Sequence, residues 1–299
     1  MTGLADPTIA ILLTGMLVGM SAALLGSFLV LRGNSMLADA ISHSILFGIA
    51  IAWLLTGQTS GPVQIVGAAL SGVLAVFLIE TLTRTRRLRD DAAIGLVFPA
   101  LFSAGVLMIN VFARNVHLDE HTVLLGEIGF VWLDTVSIAG LEVPRAMLAM
   151  GVMLLLDAAF VLVFYKALKL ATFDPDLARS LGLAPGLIFY AHLSLLSGTA
   201  VAAFDAVGVV LFITFVVVPP ATAYLLTRRL STMIALAMGL AAVSAPLGYA
   251  LAVWLDVSIG GSMALATGPF LLLAYLWRRW RAWQQTRSAA ALQSPSASA

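Results

Sequence analysis

The run TIAILLTGMLVGMSAALLGSFLVL at residues 8–31 holds no charged side chain, and its reading decides the fold. A helix needs about 20 apolar residues to cross the hydrocarbon core of a bilayer, so this run is long enough to span. Further runs of the same kind follow at 36–55, 63–83, 92–112, 146–166, 187–204, 206–227, 232–254 and 259–277, most of them uncharged. None alternates polar and apolar residues as the strands of a membrane barrel do. The pattern predicts an all-α, polytopic transmembrane helical bundle of eight or nine spans. Only Asp205 separates the sixth run from the seventh, which leaves two short helices or one broken helix open. With eight spans one segment re-enters, near Asp205 or near 123–136.

Composition agrees. Of 299 residues 61% are hydrophobic and 10% charged, against roughly 25% charged in an ordinary soluble domain. A net charge of +1 argues against nucleic acid as a partner, and the hydrophobicity argues against a disordered chain. There is no cysteine, which excludes disulfides, thiolate metal sites and cysteine nucleophiles. The first run lacks a preceding basic residue and outlasts a cleaved signal peptide, so it reads as a retained span.

Orientation follows from the basic residues beside the spans. Arg32, then Arg84, Arg86, Arg87 and Arg89, then Lys166, Lys169 and Arg179 collect on one face, followed by Arg228, Arg229 and the Arg278–Arg287 group. Only Arg114 and Arg145 fall on the other. The first face is cytoplasmic, with the amino terminus outside and the carboxyl terminus inside. The chain reads as a single transmembrane domain over 1–283, with a Ser/Ala/Gln-rich, disordered cytoplasmic tail over 284–299.

Ionisable groups inside a bilayer cost about 2.5–3.5 kcal/mol each on insertion scales, so each needs a reason. Asp39 and His43, within Met36-Leu37-Ala38-Asp39-Ala40-Ile41-Ser42-His43, lie one helical turn apart on one face. They can share a divalent cation, since such oxygen and nitrogen donors suit manganese, iron or zinc. They can equally form a buried pair that locks neighbouring helices. Asp157, midway along the fifth run, is either a substrate ligand or a partner of His192 or Asn110. His192 reads first as a core histidine. Glu80 and Arg84 are spaced for an ion pair at a helix end, and Gly15 and Gly19 for close helix packing.

The outer loop contains His117-Leu118-Asp119-Glu120-His121, then Glu127 and Asp134. H-x-x-E-H is a metallopeptidase pattern, but a short loop does not supply the long helix and cleft it needs. A solvated loop that attracts cations or docks a partner fits better. On the inner side, Phe173-Asp174-Pro175-Asp176-Leu177-Ala178-Arg179-Ser180-Leu181-Gly182 has an acidic cap, a proline at the first helical position and a terminating glycine. It predicts a short cytoplasmic helix. Lys166 and Lys169 are the only lysines, and neither sits in a phosphate-binding loop. If ATP drives this protein, another chain must hydrolyse it.

The chain resembles the permease subunits of bacterial ABC importers for manganese, zinc and iron. The likeness rests on Leu25–Arg32, Asp39–Gly48 with its Ser42-His43, Asp91–Gly95, Val123–Glu127, Phe173–Gly182, Ala206–Val210 leading to Pro219–Ala223, and Leu255–Met263. It covers about residues 10–275, and it departs from the pattern at Phe47, where relatives often carry proline. The outer-loop and Leu255–Met263 runs are most similar to the manganese/iron branch.

The resemblance implies a multi-pass protein of the bacterial cytoplasmic (inner) membrane that works as a dimer with a second permease, identical or related. A metal pathway is expected along the subunit interface. Two ATP-binding cassette ATPase subunits are expected inside, and an extracytoplasmic metal-binding protein outside. Asp39 and His43 match the family's metal pair; Asp157, His192 and Asp205 are weaker candidates. Phe173, Asp174, Pro175, Asp176, Ala178 and Gly182 match the ATPase-coupling segment. His117, Asp119, Glu120, His121 and Glu127 are candidate outer-face contacts for the cation or a partner. The expected cargo is a divalent ion, manganese first and zinc or iron next, with no permanently bound cofactor and no catalytic residue. Two other readings compete: an ion-coupled secondary transporter using Asp157, and an intramembrane metalloenzyme built on the His117–His121 loop.

Overall fold

The computed structural model describes residues 6–57, 62–112, 128–138 and 141–293. Helix α1 (Pro7–Arg32) starts where Asp6 accepts from the Thr8 and Ile9 amides and stops at Gly33. Helices α2 (Met36–Thr56), α3 (Pro62–Arg84) and α4 (Asp90–Phe112) follow. The outer connection, from which 113–127 fall outside the described residues, carries a 3-10 turn at Ile128–Phe130. It also carries an antiparallel hairpin of β1 (Thr135–Ile138) and β2 (Leu141–Pro144). Then come α5 (Arg145–Phe173), the short α6 (Pro175–Ser180), α7 (Pro185–Leu226), α8 (Leu230–Leu255) and α9 (Ile259–Gln293). The tail expected from Gln284 is therefore helical as far as Gln293.

Among the described residues, nine segments are long and apolar enough to cross a membrane. Two of them, Pro185–Phe204 and Ala206–Leu226, are limbs of α7. The break falls at Gly208 (φ 74, ψ 172), a conformation open essentially to glycine alone. In a continuous helix Phe204 and Phe212 would lie about 12 Å apart along the axis. Their rings meet edge to face at 5.7 Å, so the chain folds back on itself there. The two apolar segments divide at Asp205 as expected, the non-helical residue falls three further on at Gly208, and the two limbs form a helical hairpin.

Helix α1 is central, packing on α5, α7 and α8, while α2, α3 and α4 form a second cluster. Close approach joins the parts. Any Cβ on Gly26 would sit 2.0 Å from the Val216 carbonyl oxygen of α7, and one on Gly48 would sit 2.1 Å from that of Gly67 in α3. Gly15 and Gly19, by contrast, lie at looser distances over Met263 and Ala241. Helix α2 is unbroken past Phe47, whose backbone rests against Gly105. The perimeter is apolar: Leu155, Leu162 and Val163 of α5 are more than 70% exposed, as a lipid-facing surface should be.

Two of the basic residues assigned to the cytoplasmic face, Arg32 and Arg179, come together. Arg32, Asn34, Glu80, Asp90, Thr172, Arg179 and Gly186 all border one cavity of about 500 Å³. That brings the ends of α1, α3 and α5, the starts of α4 and α7, and helix α6 to the same side of the bundle. Arg84 meets Glu80 at 2.7 Å, the expected helix-end pair.

Candidate functional site

Gly33 takes a left-handed conformation and sends its N–H back to the Leu29 and Val30 carbonyls. Asn34 N–H bonds the Leu29 carbonyl at 3.0 Å. This tight turn places Asp39 in the first turn of α2, close to the cytoplasmic end, with His43 one turn deeper. His43 Nε2 lies 3.4 Å from Asp39 Oδ1, and the two side chains are 26% and 41% exposed. They are neither sealed in the core nor fully open. Two rings of α4 hold the imidazole, Phe98 at 5.3 Å and Phe102 edge-on at 5.9 Å. The neighbours Leu37, Ala38, Ala40, Ile41 and Ser42 are buried, so the pair occupies the open stripe of an otherwise packed helix.

The weaker candidates do not join it, and no group of three His, Asp or Glu side chains capable of holding a metal exists among the described residues. Asp157 is fully buried. Its partners are Ser21 of α1, which donates to Oδ2, and Thr199 of α7, whose hydroxyl lies 3.1 Å from both carboxyl oxygens. The alternative of a pairing with His192 or Asn110 is therefore corrected: the partners are two hydroxyls, which hydropathy does not flag. Asn110 donates to the Val106 carbonyl within α4. His192 is buried edge-on to Phe28 at 5.5 Å, a core histidine. Asp205 lies in the turn of α7, and its side chain is outside the described residues, as are His117, Asp119, Glu120, His121 and Glu127.

At the cytoplasmic end α6 forms as its sequence predicts. Asp174 Oδ1 accepts from the Leu177 amide at 2.9 Å, Pro175 opens the helix, and Gly182 follows its end at φ 80. Ala178 is buried against the bundle, Asp176 pairs with Arg179, and Phe173, Leu177 and Leu181 are exposed. An exposed apolar trio beside basic residues, outside the apolar segments, is a surface suited to a protein partner.

The nine apolar segments, two of them limbs of α7, define a multi-pass membrane protein. The model of the ABC 3 transport family matches residues 6–278, and the chain belongs to that family. It is 46% identical to the manganese transport system membrane protein MntD of Bacillus subtilis, over 89% of this chain and 90% of that one. It is 44% identical to the zinc transport system membrane protein TroD of Treponema pallidum, over 90% and 73%. Among solved structures it is similar to PsaBC from Streptococcus pneumoniae in complex with Fab. That match has a TM-score of 0.74 at 27% identity and covers 90% of this chain and 91% of that one.

Proposed function

We propose that this chain is the membrane-spanning permease of an ATP-driven divalent metal importer, with manganese as its cargo. The observation that carries the reading is the placement of Asp39 and His43: a carboxylate and an imidazole 3.4 Å apart on a half-exposed helical face. The donor set suits manganese, iron and zinc; the likeness to MntD supports manganese, and that to TroD keeps zinc in the test.

In this reading two permeases pair so that both Asp39–His43 faces line one route. An extracytoplasmic binding protein delivers the ion at the outer face. The outer residues His117, Asp119, Glu120, His121 and Glu127 receive it or dock that protein. ATPase subunits grip α6 at Phe173, Asp174, Pro175, Asp176, Ala178 and Gly182, and their movement alternates access to the pair. Full burial of Asp157 among hydroxyls gives it a fastening role rather than one in ion coupling.

The test is metal uptake by Asp39→Ala and His43→Ala variants in the assembled transporter. Both should lose uptake while keeping membrane insertion and ATPase-subunit binding. Parental uptake by either variant refutes the assignment. Competition among manganese, zinc and iron in the same assay decides the cargo.

A further inference from the structure

Between α1 and α2 the chain makes only a short turn, and the last residue of α1 before it is Arg32. Its Nη2 donates to the Ala171 carbonyl in the last turn of α5 at 2.8 Å. Its guanidinium carbon stands 4.3 Å above the ring of Phe189 in the first turns of α7. Carbonyls in the last turn of a helix lack intrahelical partners, so a cation is favoured there. Stacking on the ring holds the plane of the fork. Arg32 thus grips both helices that flank α6, although Glu80 and Asp90 border the same cavity. Of these, Glu80 is engaged by Arg84.

The link from Ala171 to α6 is stiff. Asp174 N–H bonds the Leu170 carbonyl at 2.9 Å, Asp174 caps α6, and Leu183 N–H returns to the Ala178 carbonyl at 3.0 Å. Helix α6 packs on α5 and α7. The cavity of about 500 Å³, bordered by Pro175 and Arg179 as well as Leu37 and Ile79, lies at its junction with α2 and α3. A displaced α6 therefore has empty space beside it rather than a packed wall, and Arg32 adds a bonded link from the helices that flank α6 to the end of α1, beside the direct packing of α2 on α7.

We infer that Arg32 is a positioning residue that carries displacement of α6 to Asp39 and His43, by clamping the end of α5 and the start of α7 to the turn that opens α2. The inference rests on the metal-permease reading for what the displacement achieves, but its mechanical part can be tested without metal.

The chain has no cysteine, so a cysteine pair at the exposed positions Met36 and Ser180 takes spin labels at those sites alone. In the full-length protein, Arg32→Gln should widen the measured distance distribution about twofold. In the transporter assembled with its ATPase subunits it should lower metal uptake per ATP hydrolysed about tenfold, as expected for losing a charge-assisted contact. Arg32→Lys keeps the charge and a donor for Ala171 and should restore part of both. Phe189→Leu, which leaves the bond to Ala171, should widen the distribution less. If Arg32→Gln is not recovered from membranes, Phe189→Leu alone decides. A parental distance distribution in the variant tested overturns the inference, as does parental uptake per ATP. Failure of the metal reading appears separately, as normal uptake by Asp39→Ala or His43→Ala with the distance change intact.

Discussion

Replacing Asp157 by asparagine and by alanine separates a fastening role from an electrostatic one. The carboxyl sits where α1, α5 and α7 meet, with Ser21 donating to it. Thr199 Oγ1 lies 3.1 Å from each carboxyl oxygen and 3.0 Å from the Leu195 carbonyl. A hydroxyl has one proton, so Thr199 faces more acceptors than it can serve. A carboxamide has the same shape, keeps an oxygen for Ser21 and turns N–H donors toward Thr199, which frees the Thr199 proton for Leu195. Asp157→Asn should therefore match the parent or exceed it slightly. Asp157→Ala breaks two interhelical links, each worth about 0.6–1.7 kcal/mol in a membrane protein, for a total of about 1–3 kcal/mol. At about 2 °C per kcal/mol for a chain of this size, the thermal midpoint in detergent should fall by about 2–6 °C. Metal uptake by Asp157→Asn should be parental. If Asp157→Asn melts as low as Asp157→Ala, or folds normally and loses uptake, the carboxyl acts through its charge. Either result refutes the hydroxyl-clamp account and revives ion coupling.

Gly26→Ala should destabilise the protein by about 1–3 kcal/mol, since its Cβ would press on the Val216 carbonyl. Gly151→Ala, with open space around it, should be neutral; equal thermal midpoints for the two refute the close-approach argument. Asp174→Ala removes the cap of α6 at about 1 kcal/mol and should weaken co-purification of the ATPase subunits. Asp174→Asn keeps an acceptor for Leu177 and should not.

The spans were legible because an uncharged run of twenty or more residues has few alternatives to a membrane helix. Helix α6 was legible for a local reason: Asp174, Pro175 and Gly182 act on backbone groups within a few residues. In α7 the division of the two apolar segments at Asp205 was legible, but because Ala206 and Val207 are apolar, hydropathy marks the polar Asp205 and not the backbone reversal at Gly208. Dihedral sign has no hydropathy signature. The outer hairpin was missed because its strands are only four residues each, too short for alternation to stand out. Asp157 was visible as costly, but its partners Ser21 and Thr199 come from distant helices and are ordinary hydroxyls in sequence. The pair at Asp39 and His43 was readable from helical spacing, whereas the Phe98 and Phe102 rings that seat the imidazole belong to another helix.

On the proposed reading the pair on α2 is a site for passage, which must release what it binds. Asp39 offers one or two oxygens and His43 one ring nitrogen, whereas divalent ions take about four to six donors. One chain therefore leaves at least one position of a four-donor shell, and at least three of a six-donor shell, unfilled. The rest falls to water or to another chain, and a two-fold pairing supplies the same two side chains again. Orientation is another matter. The Phe98 and Phe102 rings hold the imidazole, and the buried neighbours of Asp39 fix the helix beneath it. Incompleteness in donor number combined with fixed geometry allows an ion to be chosen by ligand type and still leave quickly. In the proposed dimer a change in the relative position of two such faces, rather than a rearrangement within one, is then enough to alternate binding with release. On the same reading that requirement gives the short turn from Arg32 to α2 its mechanical role.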